Sequence, residues 1–254
     1  ALGPDGMGKG AMSPPRRRLQ PTPAAVAPPA TPSPGARGEA TRKASLQVLC
    51  GEEHFSALLE RLLPSARVSL WIATANLKEL RLPAPVGTRA RAHGGSVSVL
   101  EGLQSLADRG VELRILHGRE PTGPFSEQLA KLPRLRQALK LRLCPRNHMK
   151  LWLLDGTWAY LGSANFTGAG LGARSPKRRN FEVGVLTDDD WMLDKLQAHF
   201  DDVWSGRHCG GCGLRAECPC PLDDLQRGRP RVAPAAAEPQ TRGHGRRGAQ
   251  ATKP

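Results

Sequence analysis

The sequence HMKLWLLDG at residues 148–156, followed by GSAN at residues 162–165, decides how the middle of this chain folds. Apolar residues alternate with His148 and Lys150, which is typical of a strand whose successive side chains point to opposite faces. The Asp155–Gly156 pair indicates a tight turn, so the chain is expected to return as a second strand. The hairpin would present an imidazole and an ammonium group side by side.

The return strand would bring two small polar side chains, Ser163 and Asn165, close to the imidazole of His148. Hydrogen-bonding groups and a cation around a nucleophile can hold a phosphoryl group and stabilise its charge. A lone histidine in a strand is more commonly a core residue than a catalyst, so the interpretation rests on the whole pattern. The pattern predicts a phosphate site on a β-hairpin.

Seven stretches, including both arms of the hairpin, have the alternation and the β-branched or aromatic content of strands. Strands that alternate with helices favour an α/β fold with a mixed, mostly parallel sheet flanked by helices. The predicted strands are Leu46–Cys50, Arg67–Asn76, Val111–His117, Leu139–Leu143, His148–Leu154, Thr157–Gly162 and Phe181–Thr187.

Four segments have helical periodicity. Pro133 would kink or split the third, and Gly110 and Gly206 would end the second and the fourth. The predicted helices are His54–Leu63, Val97–Arg109, Phe125–Ala138 and a last helix that opens at Asp188–Asp190 and buries Trp191, Leu196, Phe200 and Val203.

Written as HxKxxxxDGxxxxxGSxN, residues 148–165 resemble the HKD motif of the phospholipase D superfamily. Glu182 stands where members of that family place a glutamate after the motif, and the similarity covers roughly residues 46–204. The resemblance implies a phospholipase D-like sandwich and a metal-independent phosphodiesterase. It implies a catalytic group made of His148, Lys150, Asp155, Ser163, Asn165 and Glu182.

The resemblance also implies a role for each residue. His148 would attack phosphorus and form a phosphohistidine, while Lys150 and the two polar residues of the return strand would hold the non-bridging oxygens. Glu182 would hydrogen-bond the far ring nitrogen of His148, although it could instead pair with Arg178 or Arg179. Strand parity places Asp155 in the turn, which favours a structural role.

The chemistry needs a second imidazole that protonates the leaving oxygen and then activates water. The chain has only one HKD motif, and its other histidines stand outside any matching pattern. Single-motif members of the family solve this by homodimerising, so the resemblance implies a two-fold symmetric dimer in which each subunit contributes His148.

The formal charge of +14 lies mostly in the two ends of the chain. Residues 1–43 hold seven basic and two acidic residues, residues 225–254 hold seven and one, and residues 44–224 hold 23 and 20. Both ends are rich in Pro, Ala, Gly and Arg and lack apolar periodicity, which predicts disordered basic tails. The predicted catalytic domain therefore spans residues 44–206, followed by a Cys-rich segment at 207–224.

A basic stretch lies between Asn165 and Glu182, so it would stand at the rim of the predicted pocket. Such a stretch is either a solvated surface or a contact for phosphate backbone or anionic headgroups. Its candidate substrate-binding residues are Arg174, Lys177, Arg178 and Arg179.

Four cysteines in the Cys-rich segment, Cys209, Cys212, Cys218 and Cys220, have spacings that favour a structural zinc site over disulfides. Two thiolates that flank one proline are an awkward pair for a tetrahedral ion, so Cys144 or His208 is an alternative fourth ligand. An iron–sulfur cluster and free or redox-linked thiols remain alternatives. Catalysis itself is expected to need no cofactor.

The sequence contains neither a membrane-spanning stretch nor the basic-then-apolar order of a secretory signal, which predicts a soluble, cytoplasmic protein.

The leading functional hypothesis is hydrolysis of phosphodiesters, with nucleic acid ahead of phospholipid as the substrate because of the basic segments. A non-catalytic nucleic-acid-binding module is a second hypothesis. A third is phosphatidyl or adenylyl transfer through the same covalent intermediate.

Overall fold

The computed structural model describes residues 43–84 and 86–226, so the predicted tails lie almost entirely outside the described residues. Within that part of the chain, seven strands form one mixed sheet in the order β1-β9-β8-β7-β2-β5-β6. The strands are β1 (Leu46–Cys50), β2 (Ser69–Thr74), β3 (Arg81–Pro83), β4 (Ser96–Ser98), β5 (Glu112–His117), β6 (Lys140–Leu143), β7 (Leu151–Leu154), β8 (Trp158–Gly162) and β9 (Val183–Thr187), of which β3 and β4 form a separate hairpin.

Five strands of the large sheet run in one direction, and β7 and β9 run against them. Two neighbouring pairs are parallel, β2 with β5 and β5 with β6. The other four pairs are antiparallel: β1 with β9, β9 with β8, β8 with β7, and β7 with β2. The predicted mixed sheet flanked by helices is confirmed. The small β3–β4 hairpin was not predicted, because three-residue strands are too short to show alternation.

A π-helical segment, Phe55–Leu62, opens the helical part of the chain and continues directly into α1 (Leu63–Ser65). The predicted third helix is split in two at Pro133, because a proline cannot donate a backbone hydrogen bond inside a helix. The other helices are α2 (Arg89–Ala92), α3 (Val99–Asp108), α4 (Gly123–Ala130), α5 (Pro133–Ala138), α6 (Asp190–Trp204), α7 (Leu222–Gln226) and a 3-10 turn at Pro176–Arg178.

The helices cover the two faces of the sheet unequally. On one face the helical segments before β2 and between β2 and β6 enclose the larger core, which includes Trp152, Tyr160 and Phe166. On the other face α6 packs through Leu193, Phe200 and Trp204. Strands β7 and β8 therefore contribute to both cores, because their successive side chains point alternately to the two faces of the sheet.

Two details of the α6 and β7 predictions are wrong. Trp191 is 46% exposed rather than buried, because the face of α6 that meets the sheet is rotated toward Leu193 and Trp204. Strand β7 begins at Leu151 rather than at His148. No described helix is long and apolar enough to cross a lipid bilayer.

Glycine is required at position 184 by a close approach inside the sheet. A Cβ atom there would lie 2.3 Å from Cε2 of Tyr160, whose side chain is completely buried. At Gly102 in α3, by contrast, the nearest neighbour of an added Cβ would be Cδ2 of Leu63 at 3.5 Å, an ordinary contact. The two glycines should respond oppositely to substitution.

We expect Gly184→Ala to lower the free energy of unfolding by about 1–3 kcal/mol, the usual cost of overpacking a core. Gly102→Ala should raise it by up to about 1 kcal/mol, because alanine is the better helix former. Urea unfolding followed by circular dichroism measures both. A neutral Gly184→Ala would show that the Tyr160 ring has space to shift.

Candidate active site

His148 lies in the extended segment that leads into β7, and its side chain is exposed. The backbone N–H of Gly162 donates to the carbonyl oxygen of Lys150 at 3.1 Å, so the pairing between the hairpin arms continues past the end of β7. The predicted strand is therefore extended through Lys150 although it is not fully paired. His148 stands free of the sheet, where a substrate can reach it.

The ammonium group of Lys150 lies against the imidazole of His148. Its Nζ is 2.9 Å from Nδ1 and 3.3 Å from Nε2, and it also donates to the carbonyl oxygen of His148 at 2.8 Å. An ammonium group can only donate, so a ring nitrogen that bonds to it must carry its lone pair. The predicted pairing of the two side chains on one face is present.

Burial lowers the pKa of Lys150 below its usual value, and the nearby carboxylate of Glu182 partly opposes this shift by raising it. Desolvation disfavours a charged ammonium, whereas an opposite charge favours it. Lys150, which is half-buried, and Glu182 are thus close enough to interact.

Glu182 is placed beside the site but does not bond to His148, contrary to the role that the resemblance implies. Its Oε2 accepts a hydrogen bond from the hydroxyl group of Ser163, and its Oε1 accepts one from Nδ2 of Asn180 at 2.9 Å. The alternative pairing with Arg178 or Arg179 is also absent from the described contacts. The hydroxyl of Ser163 is therefore engaged, and its Oγ accepts from the backbone N–H of Val183 at 3.1 Å.

Asn165 has its amide orientation fixed by the end of β2. Its Oδ1 accepts backbone N–H groups from Ala75 and Asn76, both at 3.1 Å, and contacts Oγ1 of Thr74 at 3.4 Å. Because the carbonyl end of the amide faces these donors, Nδ2 faces away from them. Nδ2 has no hydrogen-bond partner among the described residues, so it is a donor available to an anion.

Two residues that hold the site together were missed from the sequence. Asn147 is 5% exposed, and its Nδ2 donates to the carbonyl oxygens of Thr74 and Leu116 at 3.0 and 3.1 Å. Thr74 in turn accepts the N–H of Phe166 through Oγ1 at 2.9 Å. These bonds fix the residue before His148 and the residue after Asn165 to the same strand end. An asparagine directly before the motif was the available signal.

Asp155 does not join the group around His148. It lies in the turn between β7 and β8, at the opposite end of β7, with φ of 53°. Its carboxylate accepts the backbone N–H groups of Arg67, Val68 and Ser69 at 2.7–3.2 Å. This position fits a structural role, because the carboxylate satisfies the start of β2 and an aspartate tolerates a left-handed conformation.

The basic stretch is divided by its contacts. Arg174, Lys177 and Arg178 are exposed and make no ion pair with described residues. Arg179 is different, because its guanidinium pairs with Glu52 and its side chain is only 17% exposed. Three of the four predicted substrate-binding residues are therefore available to an anion, and Arg179 is engaged in a structural contact.

A cavity of about 360 Å³ adjoins His148 on the side of α6. Two further histidines, His199 from α6 and His208 from the Cys-rich segment, line it together with His148. The sequence did not predict that either histidine would lie near His148, because they are more than 50 positions away along the chain and only the fold brings them to the same cavity. Both are exposed imidazoles in the same subunit as His148.

An apolar patch lies at the outer edge of the sheet, next to Glu182. Leu46, Val48 and Val183 are 63%, 54% and 55% exposed, and Phe181 is completely exposed. Val48 pairs with Val185 and Cys50 with Val183 in register, so the side chains of β1 and β9 form one continuous surface. Large contiguous apolar patches are uncommon on the surfaces of monomeric proteins and are frequent at interaction sites.

The predicted zinc ligands line a second, smaller cavity that Cys144 also borders. No disulfide joins Cys209, Cys212, Cys218 or Cys220 to a described residue, and His208 lines the first cavity instead. Among the described residues, no three His, Cys, Asp or Glu side chains already stand in positions that could hold a metal ion.

Residues 59–204, more than half of the chain, match the family described as "Cardiolipin synthase, PLD-like domain". No protein of the curated set matches the sequence. Three solved structures show the range of structural similarity.

NucT from Helicobacter pylori aligns with a TM-score of 0.44 and 19% identity, over 63% of this chain and 95% of that chain. Nuc from Salmonella typhimurium, described as a phospholipase D family member, aligns with a TM-score of 0.46 and 19% identity, over 64% and 95% of the two chains. The archaeal chromatin protein TrmBL2 aligns with a TM-score of 0.42 and 14% identity, over 67% and 55%.

Proposed function

Because the chain belongs to the phospholipase D superfamily, we propose that it is a metal-independent phosphodiesterase whose nucleophile is His148. The observation that carries the proposal is the exposed imidazole of His148 held 2.9 Å from the ammonium of Lys150. A nucleophile and a cation in contact, both reachable from solvent, suit attack on an anionic ester.

The reaction would proceed in two displacements. A ring nitrogen of His148 forms a bond to phosphorus while the bond from phosphorus to the leaving oxygen breaks, and a second imidazole donates a proton to that oxygen. Water then attacks phosphorus, the phosphorus–nitrogen bond breaks, and the second imidazole takes the proton of the water. The non-bridging oxygens are unchanged in number and need only hydrogen bonds and positive charge.

Two donors are well placed for those oxygens. Lys150 can exchange its contact with the imidazole for a contact with phosphate, and Nδ2 of Asn165 is directed away from β2 with no partner among the described residues. Ser163 and Glu182 are bonded to each other, so they would act after a rearrangement or by positioning the rim of the site. A phosphate-bound state would free the lone pair that Lys150 now occupies.

Nucleic acid is the substrate class that the charges favour. Arg174, Lys177 and Arg178 stand exposed on the segment between Asn165 and Glu182, where a polymer that entered the site would pass. Contacts of this kind bind the phosphate backbone without reading its sequence. The proposed activity is therefore that of a nuclease with little sequence preference.

Phospholipid is a second candidate substrate, favoured by the exposed apolar patch of Leu46, Val48, Phe181 and Val183 beside Glu182. Acyl chains could lie on such a surface while the headgroup phosphate enters the site. The same patch also suits a second subunit, and only one of the two occupants can cover it at a time.

We favour the second subunit, because the reaction needs an imidazole that the motif of one chain does not provide. A two-fold dimer across the patch would place Glu182 and its neighbours near the interface, so that each His148 could serve the other as acid and base. The alternative donor is His199 or His208, which line the cavity beside His148 within one subunit.

His148→Ala is expected to abolish cleavage, whereas excess EDTA should leave the wild-type rate unchanged because no ion takes part in the displacement. The measurement is product formation from single-stranded DNA, duplex DNA, RNA and phosphatidylcholine vesicles, with folding followed in the same samples. His93→Ala, an exposed histidine in the β3–β4 connection, is the matched control.

Each result separates the competing functions. Nucleic-acid affinity that survives His148→Ala without any wild-type turnover would identify a binding module instead. Vesicle hydrolysis without nucleic-acid cleavage would identify a phospholipase, and ester products formed with added alcohol would identify a transferase.

For a nuclease, the triple variant Arg174→Gln, Lys177→Gln, Arg178→Gln should reduce the magnitude of the slope of log affinity against log salt by about 2–3, because three phosphate contacts are lost.

The dimer predicts how activity depends on subunit mixing. When wild-type and His148→Ala chains are mixed and equilibrated at constant total concentration, activity should follow the square of the wild-type fraction, because only wild-type pairs hold two imidazoles. A linear dependence would contradict the shared site and favour His199 or His208.

Val48→Glu should convert the dimer to a monomer in sedimentation and abolish activity. Val86→Glu, a change at an exposed valine outside the patch, should leave both unchanged.

The pH above which activity falls should be set by the pKa of Lys150. The group must be protonated to hold phosphate, and burial lowers its pKa, so activity should fall at a pH below the usual lysine value of 10.5. Lys150→Arg should remove this limit, because an arginine stays charged. Glu182→Gln removes a charge that raises the pKa of Lys150, so it should move the limit to lower pH. An unchanged limit in both variants would assign it to another group.

A further inference from the structure

An open groove of about 540 Å³ lies between the β3–β4 hairpin and the segment that precedes Arg174. Two exposed arginines, Arg81 and Arg91, line it together with the half-buried ring of Phe55. No acidic side chain is among the described residues that line the groove, so its walls carry positive charge only. Its other lining residues are small or apolar: Leu82, Pro83, Gly94, Gly95, Ser96, Gly172 and Ala173.

The hairpin holds both arginines but leaves part of each guanidinium group free. Nε of Arg81 donates to Oγ of Ser96 at 2.9 Å, and its Nη2 donates to the carbonyl oxygen of the same serine. Nη1 of Arg91 donates to the carbonyl oxygen of Ala84 at 3.2 Å. Nη1 of Arg81 and Nη2 of Arg91 have no hydrogen-bond partner among the described residues. A guanidinium group that is already fixed on one side loses little entropy when its other side binds an anion.

The acidic residues around the groove are engaged elsewhere. Glu52 pairs with Arg179, and Glu101 caps the start of α3. Glu79 is near enough to Arg81 to interact with it, but the carboxylate oxygens of Glu79 are buried, and burial raises its pKa and so favours its neutral form. An anion in the groove would therefore meet two guanidinium groups without a carboxylate directed at it.

The groove begins close to the proposed phosphate site. The backbone N–H of Lys78 donates at 3.0 Å to the carbonyl oxygen of Phe166, the residue after Asn165. Arg81 follows Lys78 by three residues, so the Cα atoms of the two residues are at most about 11 Å apart. Lys78 is itself exposed, and it adds a positive charge between the site and the groove.

Arg174 adds a second basic side chain along this route. A Cβ atom added at Gly168 would lie 3.3 Å from Nε of Arg174 and 3.7 Å from Cβ of Leu80. Arg174 therefore lies over the loop that follows Asn165, close to the residue that precedes Arg81. Basic side chains thus line the whole route from the amide of Asn165 into the groove.

We propose that this groove binds the continuation of a single-stranded nucleic acid whose scissile phosphate lies at His148, an inference that rests on the proposed nuclease function. Arg81 and Arg91 contact successive phosphates, and a base stacks on the ring of Phe55. A basic groove that contains an aromatic ring is the arrangement that binds single strands without reading their sequence. A lipid such as phosphatidylcholine has one phosphate, whereas a polymer supplies one at each step along the route.

The size of the route sets the length of strand that reaches the groove. At about 3.4 Å per nucleotide along a strand, the distance of about 11 Å from Lys78 to Arg81 corresponds to about three nucleotides. The affinity for oligonucleotides should therefore rise steeply with length until the strand extends about three to five nucleotides past the scissile phosphate, and it should level off once the groove is filled.

The test measures the binding of fluorescent single-stranded oligonucleotides of increasing length to the full chain carrying His148→Ala, so that cleavage does not interfere. Adding Arg81→Gln and Arg91→Gln should reduce the magnitude of the slope of log affinity against log salt by about 1.4, because two phosphate contacts to a single strand are lost. The matched control, Lys131→Gln with Arg136→Gln, removes two exposed charges outside the groove and should leave the slope unchanged.

The proposed stacking contact is tested separately. Phe55→Leu keeps an apolar side chain against the core but removes the ring, so it should weaken single-strand binding about fivefold to hundredfold. Duplex DNA, whose bases are already stacked and paired, should bind more weakly than a single strand of the same length and should be insensitive to this change. Duplex binding that is as tight as single-strand binding would overturn the assignment to single strands.

Photocrosslinking does not depend on the folding of a groove variant. Strands that carry a photoreactive base at successive positions should label peptides containing Phe55 or residues 81–96 in the chain with His148→Ala. Oligonucleotide binding without this label, and with the same salt dependence in the double arginine variant, would overturn the groove and leave the proposed nuclease intact. Groove-dependent binding without any cleavage by the wild type would support the groove and contradict the nuclease. Absence of oligonucleotide binding, or binding of anionic vesicles through Arg81 and Arg91 in its place, would overturn the proposal.

Discussion

The carboxyl end of β2 binds the side chains of Asn147 and Asn165 through its backbone groups, and the geometry of the site depends on these bonds. The strand lies between β7 and β5, and its ladder ends at Thr74 while the chain is still inside the protein. The carbonyl oxygen of Thr74 accepts the backbone N–H of Gly118 and a second bond from Asn147, and Asn165 supplies an acceptor to two N–H groups. Unpaired N–H groups in such a place would cost free energy, so the amide of Asn165 stabilises this strand end, and Asn147 adds a further bond to it.

The same bonds explain why the motif has a fixed spacing. Asn147 precedes the β7–β8 hairpin and Asn165 follows it, and both bind the carboxyl end of β2, so the length of the hairpin is set by the length of β2 that it must span. At the other end of β2, Asp155 binds three N–H groups from the turn of that hairpin. The hairpin thus clamps β2 at both ends, and the proposed catalytic residues His148 and Lys150 lie between two structural fixed points.

Strand parity and turn signals predicted what depends on neighbours along the chain. Strand β1 was predicted to the residue, and the pairing of His148 with Lys150 follows from their spacing of two. Interactions set by distant segments escaped prediction. Glu182 meets Ser163 instead of His148, Arg179 meets Glu52, and Trp191 turns to solvent because α6 packs on a face that periodicity locates only approximately. Nothing local indicates that His199 would share a wall with His148.

In the structure the polar groups of the site are bonded mainly to one another. Lys150 binds the imidazole and Ser163 binds Glu182, while the amide of Asn165 keeps its donors turned away from β2. A phosphodiester carries a full charge and accepts several bonds, so it can displace the imidazole from Lys150 without moving the backbone. In the proposed reaction that exchange would release the lone pair of His148, so binding of the anion and activation of the proposed nucleophile would be one event. A neutral ester carries no charge that competes for the ammonium of Lys150, so the proposed mechanism favours anionic substrates.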